Sequence, residues 1–191
     1  MKASFYRRPV VEVAQALIGC VVSCGECSGM IVETEAYHDS EPACHAFIGR
    51  TPRTETLFGP PGIAYVYLSY GVHALLNAVC EPEGVGAAVL IRAIEPLTGV
   101  ELMAARRGLS PRCPRALCSG PGKLTQALGV TLADNGTDLS DGRIVISGRG
   151  RRLGDPVVQR DRRIGISKAR ELPWRFCLAG SEYLSVTVPR H

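Results

Sequence analysis

Apolar positions in this chain fall into short blocks separated by glycine, proline and polar turns. Val10–Ile18 (VVEVAQALI) is an apolar-rich run of helical character, and Gly19 ends it. Cys20–Ser23 and Met30–Tyr37 read as strands, with Cys24–Gly29 as the hairpin turn between them. Asp39–Pro61 is irregular and punctuated by Pro42, Pro52, Pro60 and Pro61. A loop of that length in a compact domain is expected to be functional or disordered. Ile63–Ser69 is rich in β-formers, and Tyr70-Gly71 marks the next turn. His73–Cys80 and Ala87–Ile94 are further apolar runs, the second with the character of a buried strand. Thr98–Gly108 reads as a helix stopped by Gly108, and Lys123–Leu128 as a short helix stopped by Gly129. Arg143–Ile146 and Tyr183–Val188 read as strands. Helices and strands do not alternate regularly, which predicts an α+β fold with a mostly antiparallel sheet. No repeat or linker divides the chain, so residues 1–191 are expected to form a single domain.

Composition narrows the classes. Hydrophobic residues are 46 % and charged residues 21 % of 191, a balance that excludes a disordered chain. No apolar run approaches the roughly 18 residues of a membrane span. Met1–Pro9 lacks the apolar stretch of a signal peptide, so a cytoplasmic protein with reduced thiols is expected. The eight cysteines then read as buried thiols. Cys24 and Cys27 have zinc-knuckle spacing, but no second such pair exists, and Cys20, Cys44 or His45 would have to complete a site. No metal is expected.

The net charge of +4 is unevenly placed. Arg143–Arg175 holds ten basic and three acidic residues, a local +7, leaving −3 for the rest. Such a block is either a polyanion-binding surface or a solvated face.

Alternation in Val32-Glu33-Thr34-Glu35-Ala36-Tyr37 puts Glu33, Glu35 and Tyr37 on one face and Val32, Thr34 and Ala36 on the other. Acids are poor strand formers, so two on one face point either to a carboxylate set beside an aromatic wall for proton transfer or to a solvated face. Tyr65 and Tyr67 share a face of the next β run, while Tyr70 falls at a hairpin tip. Such residues suit stacking on a planar base and wedging into a duplex, although strand aromatics are also common in sheets.

These segments resemble the alkyladenine (3-methyladenine) DNA glycosylases. The resemblance is carried by VETEAY (Val32–Tyr37), CHAFIGRTPRTETLFGPPGIAYVYLSYG (Cys44–Gly71) and Asn77. It continues through VLIRAIEPL (Val89–Leu97), SGPGKLTQALG (Ser119–Gly129) and RIGISKARELPWRFCLAGSEYLSV (Arg163–Val186). It implies a curved, mostly antiparallel sheet with surrounding helices and a protruding β-hairpin. It also implies excision of alkylated or deaminated purines flipped out of double-stranded DNA. By that resemblance Glu35 activates the attacking water and Arg92 helps hold water and carboxylate. Tyr37, His45 and Tyr67 wall the flipped base, Asn77 crowds the exocyclic amine of guanine, and Tyr70 enters the minor groove. His73 is a further pocket or groove contact. The spacing from Glu35 to His45 is one residue shorter than in mammalian members.

Arg151, Arg152, Arg162 and Lys168 in the basic block are expected to follow the DNA backbone, and Arg163 and Arg170 to serve structure. A monofunctional, cofactor-free monomer associated with the nucleoid is implied. A non-catalytic nucleic-acid-binding module would have no use for Glu35 with Arg92. A metal-dependent nuclease would need a richer carboxylate cluster than Glu33 and Glu35.

Overall fold

Local sequence rules explain the first elements of the computed structural model, which describes residues 1–149 and 154–188. After α1 (Ala3–Tyr6), helix α2 (Val10–Ala16) begins behind Pro9 and carries Glu12 in its first turn, where the helix dipole favours an acid. It buries Val10, Val13 and Ala14, and Leu17 continues the stripe at i, i+3, i+4, i+7. A turn then leads to Gly19 at φ +84°, a conformation glycine adopts without a Cβ penalty.

Strands β1 (Val21–Cys24) and β2 (Cys27–His38) form the expected hairpin, but its turn is only Gly25–Glu26, with Cys24 and Cys27 paired across it. Next come β3 (Ala64–Ser69), β4 (His73–Val79) and β5 (Ala87–Thr98). Three helices follow: α3 (Val100–Arg107), α4 (Pro114–Cys118) and α5 (Pro121–Leu128). Gly108 and Gly129 end α3 and α5 as expected, both in the left-handed region. Strands β6 (Ile144–Ser147), β7 (Val158–Asp161) and β8 (Arg175–Leu178) complete the order.

All strand pairs are antiparallel, in the order β3-β4-β5-β2-β1-β6, and the sheet curls into a half-barrel. Strand β2 is the branch point. Its first residues pair with β1, Glu33–Glu35 pair with β8, and β5 runs along its other edge. Strand β7 extends the branch from β8.

One expected strand is absent: Tyr183–Val188 forms turns and bends. Its polar groups bond to buried side chains instead, the Ser185 N–H to Glu33 and the Val186 carbonyl to Arg175. Strands β7 and β8 and helix α4 were not expected. Each is four or five residues long, and for such pieces tertiary pairing outweighs local preference.

The main core joins α2, α5 and one sheet face through residues such as Leu17, Ile31, Leu76, Ile91 and Leu124. A smaller cluster of Cys44, Leu57, Phe58, Tyr65, Val79 and Ala88 lies on the opposite face, beneath residues 39–61. That segment is therefore packed. It carries two 3-10 turns, His45–Ile48 and Glu55–Phe58. The Asp39 carboxylate accepts the Gly86 N–H at 2.9 Å. A Cβ on Gly86 would lie 2.4 Å from the Ala46 Cβ and 2.8 Å from the Phe58 ring. Gly86→Ala is expected to push the segment away and to cost about 1–3 kcal/mol through overpacking. Thermal unfolding should fall by roughly 2–4 °C per kcal/mol, and an unchanged midpoint would refute the close-packing account.

Candidate active site

Glu33 and Glu35 on β2 are both fully buried. The register there explains their surroundings. Ile31 faces Ile94, Glu33 faces Ala93, Thr34 faces Ile91 and Glu35 faces Leu90. Val32 is thus an extra residue on β2 and Arg92 an extra residue on β5. Such bulges re-aim side chains. Arg92 is turned between the two acids, with Nε 3.1 Å from Glu33 Oε1 and Nη1 3.3 Å from Glu35 Oε2. The bulge also corrects the expected faces. Thr34 donates to the Ala14 carbonyl of α2 and Ala36 joins the main core, but Val32 packs with Ala93, Cys177 and Leu184.

Glu35 accepts three hydrogen bonds. The Tyr37 hydroxyl (2.9 Å) and Arg92 Nη1 (3.3 Å) reach Oε2, and the Ile164 backbone N–H reaches Oε1 at 2.7 Å. These three residues line a cavity of about 590 Å³, so the carboxylate sits one layer behind the wall. A carboxylate offers roughly four acceptor sites, which leaves one on Oε1. Burial raises the Glu35 pKa above the usual carboxylate value. Arg92, the Ile164 N–H and Tyr37 oppose that shift, and Glu33 adds to it.

Aromatic rings form the rest of the wall. Tyr65 and Tyr67, spaced by two on β3, stack with centroids 5.3 Å apart. His45, from the first 3-10 turn, meets Tyr67 edge-on at 4.6 Å, and its Nδ1 lies 3.2 Å from the Tyr65 hydroxyl. Burial, and then the Arg53 cation, lower the His45 pKa, which favours a neutral ring. Asn77 is buried in the same wall, its Nδ2 donating to the Tyr65 carbonyl at 3.1 Å. Tyr70 stands at the tip of the β3–β4 hairpin and on the cavity rim, 95 % exposed and at φ +51°. Tyr70 and Gly71 (φ +71°) both take the positive φ that a tight hairpin turn favours, and the Val72 N–H closes that turn on the Ser69 carbonyl at 3.1 Å. His73 is exposed outside the cavity wall and lies against Gly122 of α5.

The basic block does not form one face. Arg143 pairs with Asp134 at 2.7 Å, and Arg149 donates to the Ile18 carbonyl. Arg163 is buried as expected. It binds Glu41 through two bonds of 2.6 and 3.0 Å, donates to the Ala36 carbonyl, and lies 4.6 Å above the Tyr37 ring. It thereby anchors the stretch from Ile164 to Lys168 that lines the cavity. Arg175 is buried on Glu33 and Asp161. Arg170, expected to be structural, is exposed. Arg162 is exposed, and Lys168 is an exposed member of the cavity lining. Arg151 and Arg152 lie outside the described residues.

Sequence reasoning missed Arg53, whose guanidinium lies 5.8 Å from the Tyr67 ring centre, and the Ile164 amide. Only the folding of distant segments brings either to the cavity. Cys24 and Cys27 lie in the main core, where Arg106 donates to Cys27 Sγ at 3.5 Å. Among the described residues no three His, Cys, Asp or Glu side chains assemble as a metal site, and no helix is long and apolar enough to cross a membrane.

Comparison with known proteins matches this chain to a family. The family model described as methylpurine-DNA glycosylase (MPG) matches residues 4–182. A protein of Rhodopseudomonas palustris is 53 % identical over 97 % of this chain and 88 % of its own length. Proteins of Bradyrhizobium diazoefficiens and Rubrobacter xylanophilus are 50 % and 51 % identical. They cover 100 % and 91 % of this chain, and 92 % and 89 % of their own lengths. All three relatives carry the name "Putative 3-methyladenine DNA glycosylase".

Proposed function

This chain belongs to the methylpurine-DNA glycosylase family, and from that premise we propose that it hydrolyses the N-glycosidic bond of alkylated or deaminated purines in duplex DNA, leaving an abasic site. The observation that carries this reading is Glu35, buried one layer behind an aromatic cavity with an acceptor site to spare on Oε1. A duplex hides the glycosidic bond, so the damaged nucleotide is first flipped out. Tyr70, exposed on the rim, fills the vacated stack. The base stacks among Tyr37, His45 and Tyr67. Aromatic faces favour an alkylated, cationic purine by about 0.5–2 kcal/mol each. A neutral His45 adds no repulsion. Asn77, tethered to the Tyr65 carbonyl, crowds the exocyclic amine of guanine.

Water bound at Glu35 Oε1 gives its proton to the carboxylate as its oxygen attacks the anomeric carbon. The carbon–nitrogen bond breaks, and the purine leaves with the bonding electrons, neutral if alkylation had made it cationic and as an anion that takes up a solvent proton if deaminated. Until that proton moves, the carboxylate's negative charge favours the oxocarbenium-like sugar. Arg92 and Tyr37 keep the carboxylate oriented. An amine nucleophile needs activation such as desolvation, and Lys168, the cavity's one lysine among the described residues, is exposed. We therefore propose a monofunctional enzyme, and with it a cofactor-free, single-domain monomer acting on damaged double-stranded DNA. Arg162 and Lys168 contact phosphates.

Release of free base from duplexes carrying 3-methyladenine, 7-methylguanine, hypoxanthine or ethenoadenine tests the reading. DNA binding with no release of any of them would make the chain a binder. The pH dependence follows from Glu35. The base works only when ionised, and burial raises its pKa, so activity is lost as pH falls through a value above the usual carboxylate range of about 4.3. The acid limb of kcat/KM should lie there, because that ratio reports the free enzyme. A limb at or below the ordinary range would contradict the upward shift, and the absence of any acid limb would exclude Glu35 as the base.

A further inference from the structure

Glu33 takes no part in that hydrolysis, yet it is as deeply buried as Glu35 and does not line the cavity. A second buried carboxylate is costly unless its partners compensate it. Glu33 has four donors. Arg92 Nε (3.1 Å), Arg175 Nε (2.8 Å) and the Ser185 hydroxyl (2.8 Å) reach Oε1, and the Ser185 N–H reaches Oε2 at 2.6 Å. Three donors share Oε1 and one reaches Oε2, and of these partners only Arg92 lines the cavity, whereas all three partners of Glu35 do, so Glu33 is set further from the cavity's water than Glu35.

Its partners explain its presence. Arg175 is the cross-strand neighbour of Glu35, but its Nε goes to Glu33 and its Nη1 to Asp161 at 2.8 Å. Arg92 gives Nε to Glu33 and keeps only Nη1 for Glu35. The Ser185 hydroxyl also lies 3.3–3.4 Å from the Arg92 guanidinium. Two guanidiniums thus face three carboxylates, Glu33, Glu35 and Asp161. Among the described residues one negative charge remains uncompensated, and Glu35 is the member nearest the cavity.

We propose that Glu33 and Ser185 are positioning residues that aim Arg92 Nη1 at Glu35 and hold Arg175 away from it. Glu35 then stays oriented without being neutralised. The inference rests on the reading of Glu35 as the base. Ser185 lies beyond the matched stretch of residues 4–182, so the last described turn of the chain closes the site from outside it.

The charged and titratable groups facing Glu35 are Glu33 and Tyr37 on β2, Arg92 on β5, Arg175 and Cys177 on β8, and Tyr67 on β3. Glu33→Gln removes a like charge and frees both guanidiniums, and both changes favour ionised Glu35. The acid limb of the pH–rate profile should move to lower pH. The maximal single-turnover rate on a hypoxanthine duplex should fall about tenfold or more, the worth of a hydrogen bond to a charged group, with lesion-DNA affinity unchanged. Ser185→Ala should also slow excision, and Ser185→Thr, which keeps the hydroxyl, should restore it.

If Glu33→Gln does not fold, the two Ser185 variants decide. Wild-type rates and an unmoved limb in Glu33→Gln and Ser185→Ala, with Glu35→Gln inactive, would overturn the positioning role and leave the base in place. A loss that Ser185→Thr does not rescue, with the limb unmoved, marks a packing defect and also overturns it. An active Glu35→Gln would instead overturn the reading of the base itself.

Discussion

Glu35→Gln is expected to lower single-turnover excision by about 10²-fold or more, the usual consequence of removing a general base. The glutamine carbonyl can still accept the Ile164 N–H, so shape and binding survive. What is lost is the proton acceptor and the negative charge beside the developing oxocarbenium. Affinity for lesion DNA should therefore hold while the chemical step fails, a split that titration and single-turnover kinetics read separately.

Folding should not suffer. Burial is the largest influence on Glu35 and raises its pKa, so the folded state holds the ionised form less readily than the unfolded chain does. By linkage, that mismatch lowers stability as pH rises through the unfolded value, and at neutral pH the charge opposes folding. A neutral amide removes the opposition, so the thermal midpoint at pH 7 should stay level or rise. Near-normal excision by Glu35→Gln would disprove the role, whatever the stability.

Tyr70→Ala is expected to lower excision from duplex DNA by about tenfold or more. Base–aromatic stacking is worth roughly 1–3 kcal/mol, and the side chain replaces part of the stacking that flipping breaks. The defect should shrink for mismatched or single-stranded hypoxanthine, where little unstacking remains to compensate. Tyr70 is 95 % exposed, so its removal empties no core, and stability should change by no more than about 0.5 kcal/mol. An excision panel on paired, mismatched and single-stranded substrate separates the outcomes. Equal impairment on every substrate would refute the wedge role.

Much of the site's supply of side chains was legible before folding. Period-two spacing puts Glu33, Glu35 and Tyr37 on one face, and likewise Tyr65 and Tyr67, because strand side chains alternate whatever the strand packs against. The turn at Tyr70-Gly71 and the glycine stops after α3 and α5 are equally local. The same local reasoning misjudged Tyr183–Val188, since an alternating apolar pattern does not reveal that its backbone will bond to buried charges. It also misjudged the basic block, where Arg163 and Arg175 spend their charge on buried carboxylates.

The sequence by itself therefore determined the helix stripes, the hairpin positions, the faces of the regular strands and, through its motifs, the family. Tertiary structure alone decided which way Arg92 points, because its direction comes from paired bulges on β2 and β5, and a bulge is a property of two strands in register. It alone decided the state of the carboxylates. The amide that meets Glu35 lies 129 positions away in the chain, and the serine that meets Glu33 lies 152 positions away. Burial and charge compensation are sums over neighbours, and those neighbours exist only once distant segments have closed around the pair.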